Sequence, residues 1–247
     1  MNTSLYDDPE LYDARSRPEP FASFYKSIAL EGGGPVLELG CGTGQVIVPI
    51  AEAGIACVGL DLSSIMLAAA EAYAARRRTG VRWVIGDMRG FSLEERFSTV
   101  FIARNTLLQL VELADLRACL ASVRHHLLPA GRLVFDIFNP DVRILAALPN
   151  QRMFVRDFEH PRLGKVTLEL TSEYDSATQV NRGTWYHSTA DQPDFLVVPI
   201  HLRCIYPQEL SLLLESVGFQ LETRWGDFSR GAFTSDSRVQ VCSARLL

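Results

Sequence analysis

The fold is decided by ten residues near the start of the chain, which read Val36-Leu37-Glu38-Leu39-Gly40-Cys41-Gly42-Thr43-Gly44-Gln45. The first four residues are mostly apolar and predict a short buried strand. Three glycines follow at alternate positions, and glycine lets a backbone turn sharply and approach a ligand closely. A helix is predicted from about Thr43 to Ala53, with its free N–H groups at the same point. The stretch therefore predicts a strand, a ligand-binding loop and a helix.

Strands and helices continue to alternate after this unit. The predicted strands are Ala56–Leu60, Val81–Ile85, Thr99–Ala103 and Arg132–Phe138, and the predicted helices run from Ser63 or Ser64 to Ala75 and from Glu112 to Leu128. An earlier helix is predicted from Phe21 through Ile28. This alternation is typical of an α/β protein whose parallel sheet carries helices on both faces.

The pattern changes in the C-terminal half. The segments Lys165–Tyr174, Gln179–Ser188 and Phe195–Arg203 predict consecutive strands without helices between them, which indicates an antiparallel β insertion. A helix from Pro207 to Val217 and strands at Gln220–Trp225 and Arg238–Ala244 then return to the α/β pattern. We therefore predict three regions: 1–150, which holds an N-terminal helix and the core; 151–203, the insertion; and 204–247, which completes the core. Strands without crossover helices suit the open edge of a sheet, so we expect the insertion on the substrate side.

Composition excludes several classes of protein. With 47% hydrophobic and 21% charged residues among 247, the chain can bury a substantial core. The formal net charge of -5 argues against a nucleic-acid partner. The N-terminus lacks the features of a signal peptide and no apolar run is long enough to span a membrane, so we expect a cytoplasmic protein, monomeric or homodimeric. Five cysteines without a C-x-x-C pair, and no His/Asp/Glu cluster, predict no metal site.

An acidic residue completes the ligand-binding pattern. Asp61 ends the second predicted strand, seventeen residues after Gly44. A carboxylate at that position can accept hydrogen bonds from both hydroxyls of a ribose, which predicts a nucleoside site at the carboxyl ends of the strands. Dinucleotide sites favour G-x-G-x-x-G, but Gln45 occupies the third glycine position here. The spacing therefore disfavours the pyrophosphate of NAD.

These motifs resemble those of the class I S-adenosylmethionine-dependent methyltransferases, whose loop reads (E/D)-x-G-x-G-x-G and is matched by Glu38 through Gly44. The run Gly86-Asp87-Met88-Arg89 lies where that family has an acid near the adenine. The resemblance implies a Rossmann-like fold with a mostly parallel seven-stranded sheet, and S-adenosyl-L-methionine as cofactor. More loosely, the chain is similar to the sugar-amine N,N-dimethyltransferases in Leu11-Tyr12-Asp13 and in the Arg104–Leu108 stretch, although Gln109 stands where several relatives have histidine.

The resemblance also implies a set of cofactor-binding residues. The backbone of the glycine loop would surround the methionine and ribose, Glu38 would orient the loop or reach the amino group, and Asp61 would bind the ribose hydroxyls. Tyr12 would contact the methionine carboxylate, and the backbone near Ala103 would accept from the amine. The full set is Tyr12, Glu38, Gly40, Cys41, Gly42, Gly44, Asp61, Leu62, Met66, Asp87, Met88 and Ala103, with Leu62 and Met66 in the adenine slot and Asp87 and Met88 at the adenine edge.

Methyl transfer depends more on the alignment of acceptor and methyl group than on acid–base catalysis. Methyl transfer is an in-line displacement, so the protein must mainly position the acceptor and exclude water. A hydroxyl acceptor would benefit from a base, for which His201 and Tyr206 are candidates, whereas an amine need only arrive deprotonated. We expect a small-molecule N or O acceptor. The alternatives are a tRNA or protein methyltransferase, or a catalytically silent nucleoside-binding interaction protein.

Overall fold

The computed structural model describes residues 4–16, 20–146 and 151–247. Its strands are β1 (Val36–Leu39), β2 (Cys57–Asp61), β3 (Arg82–Ile85), β4 (Phe97–Ile102), β5 (Leu127–Phe138), β6 (Met153–His160), β7 (Gly164–Asp175), β8 (Val180–Ser188), β9 (Leu196–Arg203), β10 (Phe219–Trp225) and β11 (Val239–Leu246). Its helices are α1 (Pro9–Arg15), α2 (Phe21–Gly32), α3 (Ile47–Ala51), α4 (Ser64–Arg76), α5 (Leu113–His126), α6 (Val142–Leu145) and α7 (Pro207–Ser216). Short 3-10 turns occupy Leu5–Asp7 and Thr106–Gln109.

The chain forms two compact units. The first comprises Met1–Arg17 and Pro140–Cys204, and the second comprises Pro18–Asn139 and Ile205–Leu247. The domain bounds expected at residues 150 and 203 stay a prediction. The compact units differ from those bounds mainly because the N-terminal segment clusters with residues 140–204.

The second unit contains the seven-stranded sheet, in the order β10-β11-β5-β4-β1-β2-β3. Pairs β1–β2, β1–β4, β2–β3 and β4–β5 are parallel, while β11 runs antiparallel to both of its neighbours. The prediction of a mostly parallel sheet is confirmed. Glu38 on β1 lies beside Gly59 of β2 and Phe101 of β4, so the ends of these three strands meet at one edge.

Helix α2 packs on this sheet through aromatic side chains. The Tyr25 ring lies edge-on to Phe101 of β4 at 5.0 Å, and the Phe24 ring contacts Trp225 of β10 at 5.5 Å. Both Tyr25 and Phe101 are completely buried. Truncating a buried phenylalanine to alanine typically costs about 3 to 5 kcal/mol, so these contacts hold α2 firmly against the strands that carry the site.

Two elements differ from their predicted bounds. Helix α3 begins at Ile47 rather than Thr43, because Gly44 keeps a left-handed backbone (φ 80°) that continues the loop. Strand β5 begins at Leu127 rather than Arg132. Its register against β4 shifts between Phe97 and Thr99, which places an irregularity between Leu127 and Arg132 inside the strand.

The first unit contains a four-stranded antiparallel sheet in the order β6-β7-β8-β9. An antiparallel insertion was expected with three strands, and the structure adds β6 at its edge. Helix α1 packs on the sheet, where Leu11 is buried with Leu196 of β9. Strand β6 escaped prediction because charged residues interrupt its alternation and its pairing to β7 shifts between Phe154 and Arg156. Within the ranges described above, no helix is long and apolar enough to span a membrane.

Candidate cofactor-binding site

The site lies where β1, β2, β3 and β4 end, at one edge of the parallel sheet. In open α/β sheets, ligands bind outside the carboxyl ends of the strands, at the point where the strand order reverses. Here β1 lies between β2 and β4, so the reversal falls at the loop that follows β1. The residues predicted from the glycine loop, from Asp61 and from Asp87 all follow these strands.

Gly40 turns the chain away from β1 and pins it onto β2. Its φ is 66°, and a Cβ built there would lie 2.4 Å from Cγ2 of Thr106, so only glycine fits without movement. The N–H groups of Gly40 and Cys41 both donate to the carbonyl of Leu60, at 2.7 and 3.1 Å. Cys41 itself is buried. These hydrogen bonds fix the first half of the loop against β2.

Gly44 closes the other end of the loop. Its φ is 80°, and an added Cβ would lie 3.0 Å from Val48 and 3.3 Å from the Trp83 ring. Its N–H donates to the carbonyl of Cys41 at 2.9 Å. This hydrogen bond closes a tight turn directly in front of α3, and the close packing around the buried Gly44 leaves no room for a side chain.

Asp61 is anchored by two backbone groups. Its Oδ2 accepts from the N–H of Gly42 at 2.7 Å, and its Oδ1 accepts from the N–H of Ser63 at 2.9 Å. The Ser63 hydroxyl in turn caps α4 by accepting from the N–H of Met66. A carboxylate offers about four acceptor positions. The two that remain fit a pair of ribose hydroxyls.

Glu38 carries an unsatisfied charge-bearing atom. The residue is 3% exposed; the backbone N–H of Ile47 hydrogen-bonds its carboxylate, but Oε2 is buried without a partner. Burial raises the pKa of Glu38 well above its ordinary value, the Asp61 charge adds to this rise, and the Arg104 charge opposes it. Burying such an oxygen unpaired is costly. A ligand ammonium would satisfy it, so the residue fits the amino group of S-adenosylmethionine.

Three exposed apolar side chains lie near Asp61, two of them in the next four residues of the chain and one paired with it across β2 and β3. Leu62, Ile65 and Ile85 are 71%, 47% and 66% exposed, although such residues are usually buried. The ends of β2 and β3 are joined by a hydrogen bond from the Gly86 N–H to the Asp61 carbonyl. Leu62 therefore has the surface expected of an adenine slot. Met66 is only 1% exposed, so it can support that slot from behind but offers almost no surface to a ligand.

Asp87 follows β3 and is held by the guanidinium of Arg89. Arg89 Nε and Nη2 donate to Asp87 Oδ2 at 2.9 and 2.6 Å, and the Arg89 backbone N–H donates to Oδ1. The Arg89 hydrogen bonds keep the pKa of Asp87 below its ordinary value. Arg89 also pairs with Asp115 of α5. The carboxylate at the expected adenine edge is therefore ionised and fixed in direction, and Met88 beside it is half-buried.

The backbone carbonyl of Ala103, expected near the cofactor amine, already accepts hydrogen bonds from within the protein. It accepts from the Thr106 N–H at 3.2 Å and from the Thr106 hydroxyl at 2.6 Å. A carbonyl oxygen has two lone pairs, so both are engaged. The expectation that the backbone near Ala103 accepts from the cofactor amine stays a prediction, and Glu38 offers a second acceptor for that group.

Sequence reasoning missed a buried carboxylate behind the site. Asp136 of β5 is 3% exposed, and its Oδ1 accepts from the Tyr25 hydroxyl at 2.6 Å and from the Arg104 N–H at 2.7 Å. Burial raises the pKa of both Tyr25 and Asp136. The available signal was an acid within the otherwise apolar run Leu133–Phe138. We name Tyr25 and Asp136 the buried pair.

The other predicted residues are distributed over both units. Tyr12 lies on α1 of the first unit, half-buried, with its ring 6.1 Å from that of Tyr6. His201 is exposed on β9 of the same unit. Tyr206 belongs to the second unit and precedes α7, where its N–H donates to Glu209. No group of three or more His, Cys, Asp and Glu side chains suited to a metal occurs in the parts of the chain that the structure describes.

Comparison with known proteins agrees with this geometry. Residues 36–131 match a methyltransferase domain. The structure of the CcbJ methyltransferase from Streptomyces caelestis is similar with a TM-score of 0.83 at 28% identity, over 100% of this chain and 99% of that one. The glycopeptide N-methyltransferase MtfA, solved with S-adenosylmethionine, matches with a TM-score of 0.63 at 26% identity over 92% and 94% of the two chains. A dTDP-3-amino-3,6-dideoxy-alpha-D-glucopyranose N,N-dimethyltransferase from Streptomyces fradiae is 37% identical over 101 residues, 41% of this chain and 38% of that enzyme.

The fold, the glycine loop and these matches define a class I methyltransferase with a Rossmann-like sheet. The chain is an S-adenosylmethionine-dependent methyltransferase. The cofactor supplies an activated methyl group on a sulfonium sulfur. The residues described above would hold it by its amino group, its ribose and its adenine.

Proposed function

We propose that the enzyme, as a monomer or homodimer, methylates an amine nitrogen of a small molecule. The observation that carries the proposal is the likeness of the chain to enzymes whose names specify nitrogen in small or peptide-like acceptors, namely MtfA and the amino-sugar N,N-dimethyltransferase of Streptomyces fradiae. The formal net charge of -5 supports a small acceptor over RNA, because RNA-binding surfaces are typically basic.

The chemistry of the site supports nitrogen over oxygen. An amine that arrives deprotonated brings its own lone pair, whereas a hydroxyl benefits from a base placed within hydrogen-bond reach. The three acids at the core of the second unit, Glu38, Asp61 and Asp136, are each engaged in holding backbone. They are therefore poor bases for an acceptor hydroxyl. For an O acceptor, His201 and Tyr206 remain the proposed bases.

Transfer then depends on position. When bound, the cofactor would supply an electrophilic methyl group to the acceptor nitrogen, which would then lose its proton to water or buffer. The part of this chain is to fix the cofactor at Glu38, the glycine loop and Asp61, so that the sulfonium methyl keeps one direction. We propose that residues 151–203 contribute acceptor specificity, since that sheet is not needed to complete the parallel core.

The test is a methyl-transfer assay with matched acceptors. Labelled S-adenosylmethionine is offered with amino sugars, with their N-acetylated counterparts, and with bulk tRNA. N-acetylation keeps every hydroxyl but removes the nucleophilic nitrogen lone pair. We expect incorporation into at least one free amine and none into its acetylated form, with mass spectrometry placing the methyl on nitrogen.

Each other outcome favours a different function. Equal methylation of the free and acetylated sugars would indicate an oxygen acceptor and contradict the proposal. Salt-sensitive tRNA binding with incorporation into RNA would identify an RNA methyltransferase. Tight S-adenosylhomocysteine binding without turnover on a broad acceptor panel would favour the silent nucleoside-binding protein.

A further inference from the structure

We propose that Arg104 binds the carboxylate of the methionine part of the cofactor, opposite Glu38, and that the buried pair Tyr25 and Asp136 positions it. The cofactor ends in an amino acid, which carries an ammonium and a carboxylate on one carbon. Glu38 can pair only with the ammonium. A cation near the same loop is needed for the carboxylate, and Arg104 follows β4 at that edge of the sheet.

The backbone at Arg104 is held in an uncommon conformation. Arg104 and Asn105 have φ values of 61° and 62°, two consecutive left-handed residues of which neither is glycine. Residues other than glycine persist in this conformation only where their surroundings enforce it. Such sites cluster where a ligand is held. Because of this bend, the chain leaves the extended path of β4 at Arg104.

Asp136 is the group that enforces the bend. Its Oδ1 accepts from the Arg104 N–H at 2.7 Å, and its backbone carbonyl accepts from the Asn105 N–H at 3.2 Å. The Asn105 side chain closes the turn by accepting from the N–H of Phe138 at 2.6 Å. Tyr25 donates to the same Asp136 oxygen from α2. The bend is therefore fixed by strand β5 and helix α2.

The Arg104 head group lies at the glycine loop. Its Nη1 donates to Oε1 of Gln45, the residue directly after Gly44, at 3.1 Å, and its guanidinium carbon lies 5.0 Å from the centre of the Phe21 ring. A guanidinium has five N–H donors in a planar fork that matches a carboxylate. The contact with Gln45 places this fork beside the glycine loop.

Charge at the loop favours the same assignment. Arg104 is close enough to Glu38 for its charge to act on that carboxylate. The two opposite charges thus face a loop of glycine backbone that places no side chain at Gly40, Gly42 or Gly44. A zwitterion placed there would meet an acid at its ammonium and a guanidinium at its carboxylate. Tyr12, which the family resemblance links to the carboxylate, can supply only a neutral hydroxyl.

The test compares two ligands that differ by the carboxylate alone. S-adenosylhomocysteine and its decarboxylated analogue, 5′-deoxy-5′-(3-aminopropylthio)adenosine, are titrated by calorimetry into the wild type, Arg104→Gln and Arg104→Lys. A charged hydrogen bond contributes about 1.5 to 3 kcal/mol, so Arg104→Gln should weaken S-adenosylhomocysteine binding about 10- to 100-fold. Binding of the decarboxylated analogue should be nearly unchanged, and Arg104→Lys should recover part of the loss.

The ratio of the two affinities separates binding from folding. Equal losses for both ligands, or no loss for either, would overturn the assignment. So would a ratio that falls in Tyr12→Phe but not in Arg104→Gln.

The buried pair is tested by the same ratio. Tyr25→Phe should lower the preference for the ligand that carries the carboxylate, because Asp136 loses one of the two donors that fix its direction. Asp136→Asn keeps an acceptor oxygen and should retain more of that preference than Asp136→Ala. If these variants lower the thermal midpoint and leave the ratio at its wild-type value, the pair is structural and the positioning role is wrong.

Discussion

Replacing Asp61 tests the cofactor assignment through one side chain. In the structure its two oxygens each accept one backbone N–H, from Gly42 and from Ser63, and each keeps room for a further donor. We expect the two ribose hydroxyls to be those donors. Asp61→Ala removes the carboxylate entirely, whereas Asp61→Asn keeps one acceptor oxygen and turns the other into an amide donor.

The size of the effect follows from the hydrogen bonds. Loss of one hydrogen bond to a charged group costs about 1.5 to 3 kcal/mol, and 1.4 kcal/mol is a factor of ten, so Asp61→Ala should weaken S-adenosylhomocysteine binding about 10- to 100-fold. The N–H groups of Gly42 and Ser63 also lose their acceptor, so the unfolding free energy should fall by about 1 to 3 kcal/mol. Asp61→Asn should lie between the wild type and Asp61→Ala in both quantities.

Calorimetry measures the affinity, and thermal unfolding shows that each variant is folded. NAD is titrated alongside, because it presents the same ribose but also a pyrophosphate that the position of Gln45 disfavours. The reasoning is refuted if folded Asp61→Ala binds S-adenosylhomocysteine as tightly as the wild type. It is equally refuted if the wild type prefers NAD.

Three further changes test other parts of the site. Gly40→Ala should lower the thermal midpoint and the cofactor affinity, since the new Cβ meets Thr106 at 2.4 Å, and Thr106→Ser in the same chain should recover part of both losses by removing the methyl group. Glu38→Gln should alter the pH dependence of unfolding: burial raises the folded-state pKa, so wild-type stability should fall as pH rises above the ordinary glutamate value of 4.5, a slope that the variant lacks; parallel curves would contradict this. His201→Gln and Tyr206→Phe should leave the dissociation constant of S-adenosylhomocysteine unchanged, and a loss of kcat above about tenfold with an amine acceptor would indicate that a base is used after all.

Local patterns in the sequence predicted most of the second unit. Alternating strands and helices indicated the parallel sheet, and of the two serines expected at the start of α4, Ser63 or Ser64, Ser63 is the N-cap. The predicted ends of helices and strands differ from the observed ones where the backbone conformation of single residues decides them. Helix α3 starts late because Gly44 remains left-handed, a conformation that glycine permits but does not require. Strand β6 is charged and lies at a sheet edge, so its side chains carry little periodic signal.

The site residues also differ in how well the sequence predicted them: those in a local motif were found, and those far apart in the chain were missed. Glu38, the glycines and Asp61 lie within 24 residues of one another, so their spacing was enough to place them together. Tyr25 and Asp136 lie 111 residues apart and meet only because α2 packs against β4 and β5. Neither residue belongs to a local motif, and no spacing rule brings them together. The hydrogen bond from the Thr106 hydroxyl to the Ala103 carbonyl is likewise a tertiary feature that no sequence pattern indicated.

The positions of the site residues suit a reaction that depends on direction. In-line transfer needs the sulfonium methyl to point along one line, and small displacements of the cofactor would be costly. Glu38 and Asp61 sit on the adjacent parallel strands β1 and β2, where Glu38 pairs with Gly59, and Asp61 pairs in turn with Ile85 of β3. Side chains on strands within a packed sheet move less than side chains on loops. The cofactor would therefore be held by the most rigid part of the protein, which leaves acceptor choice to residues that can vary without disturbing the methyl group.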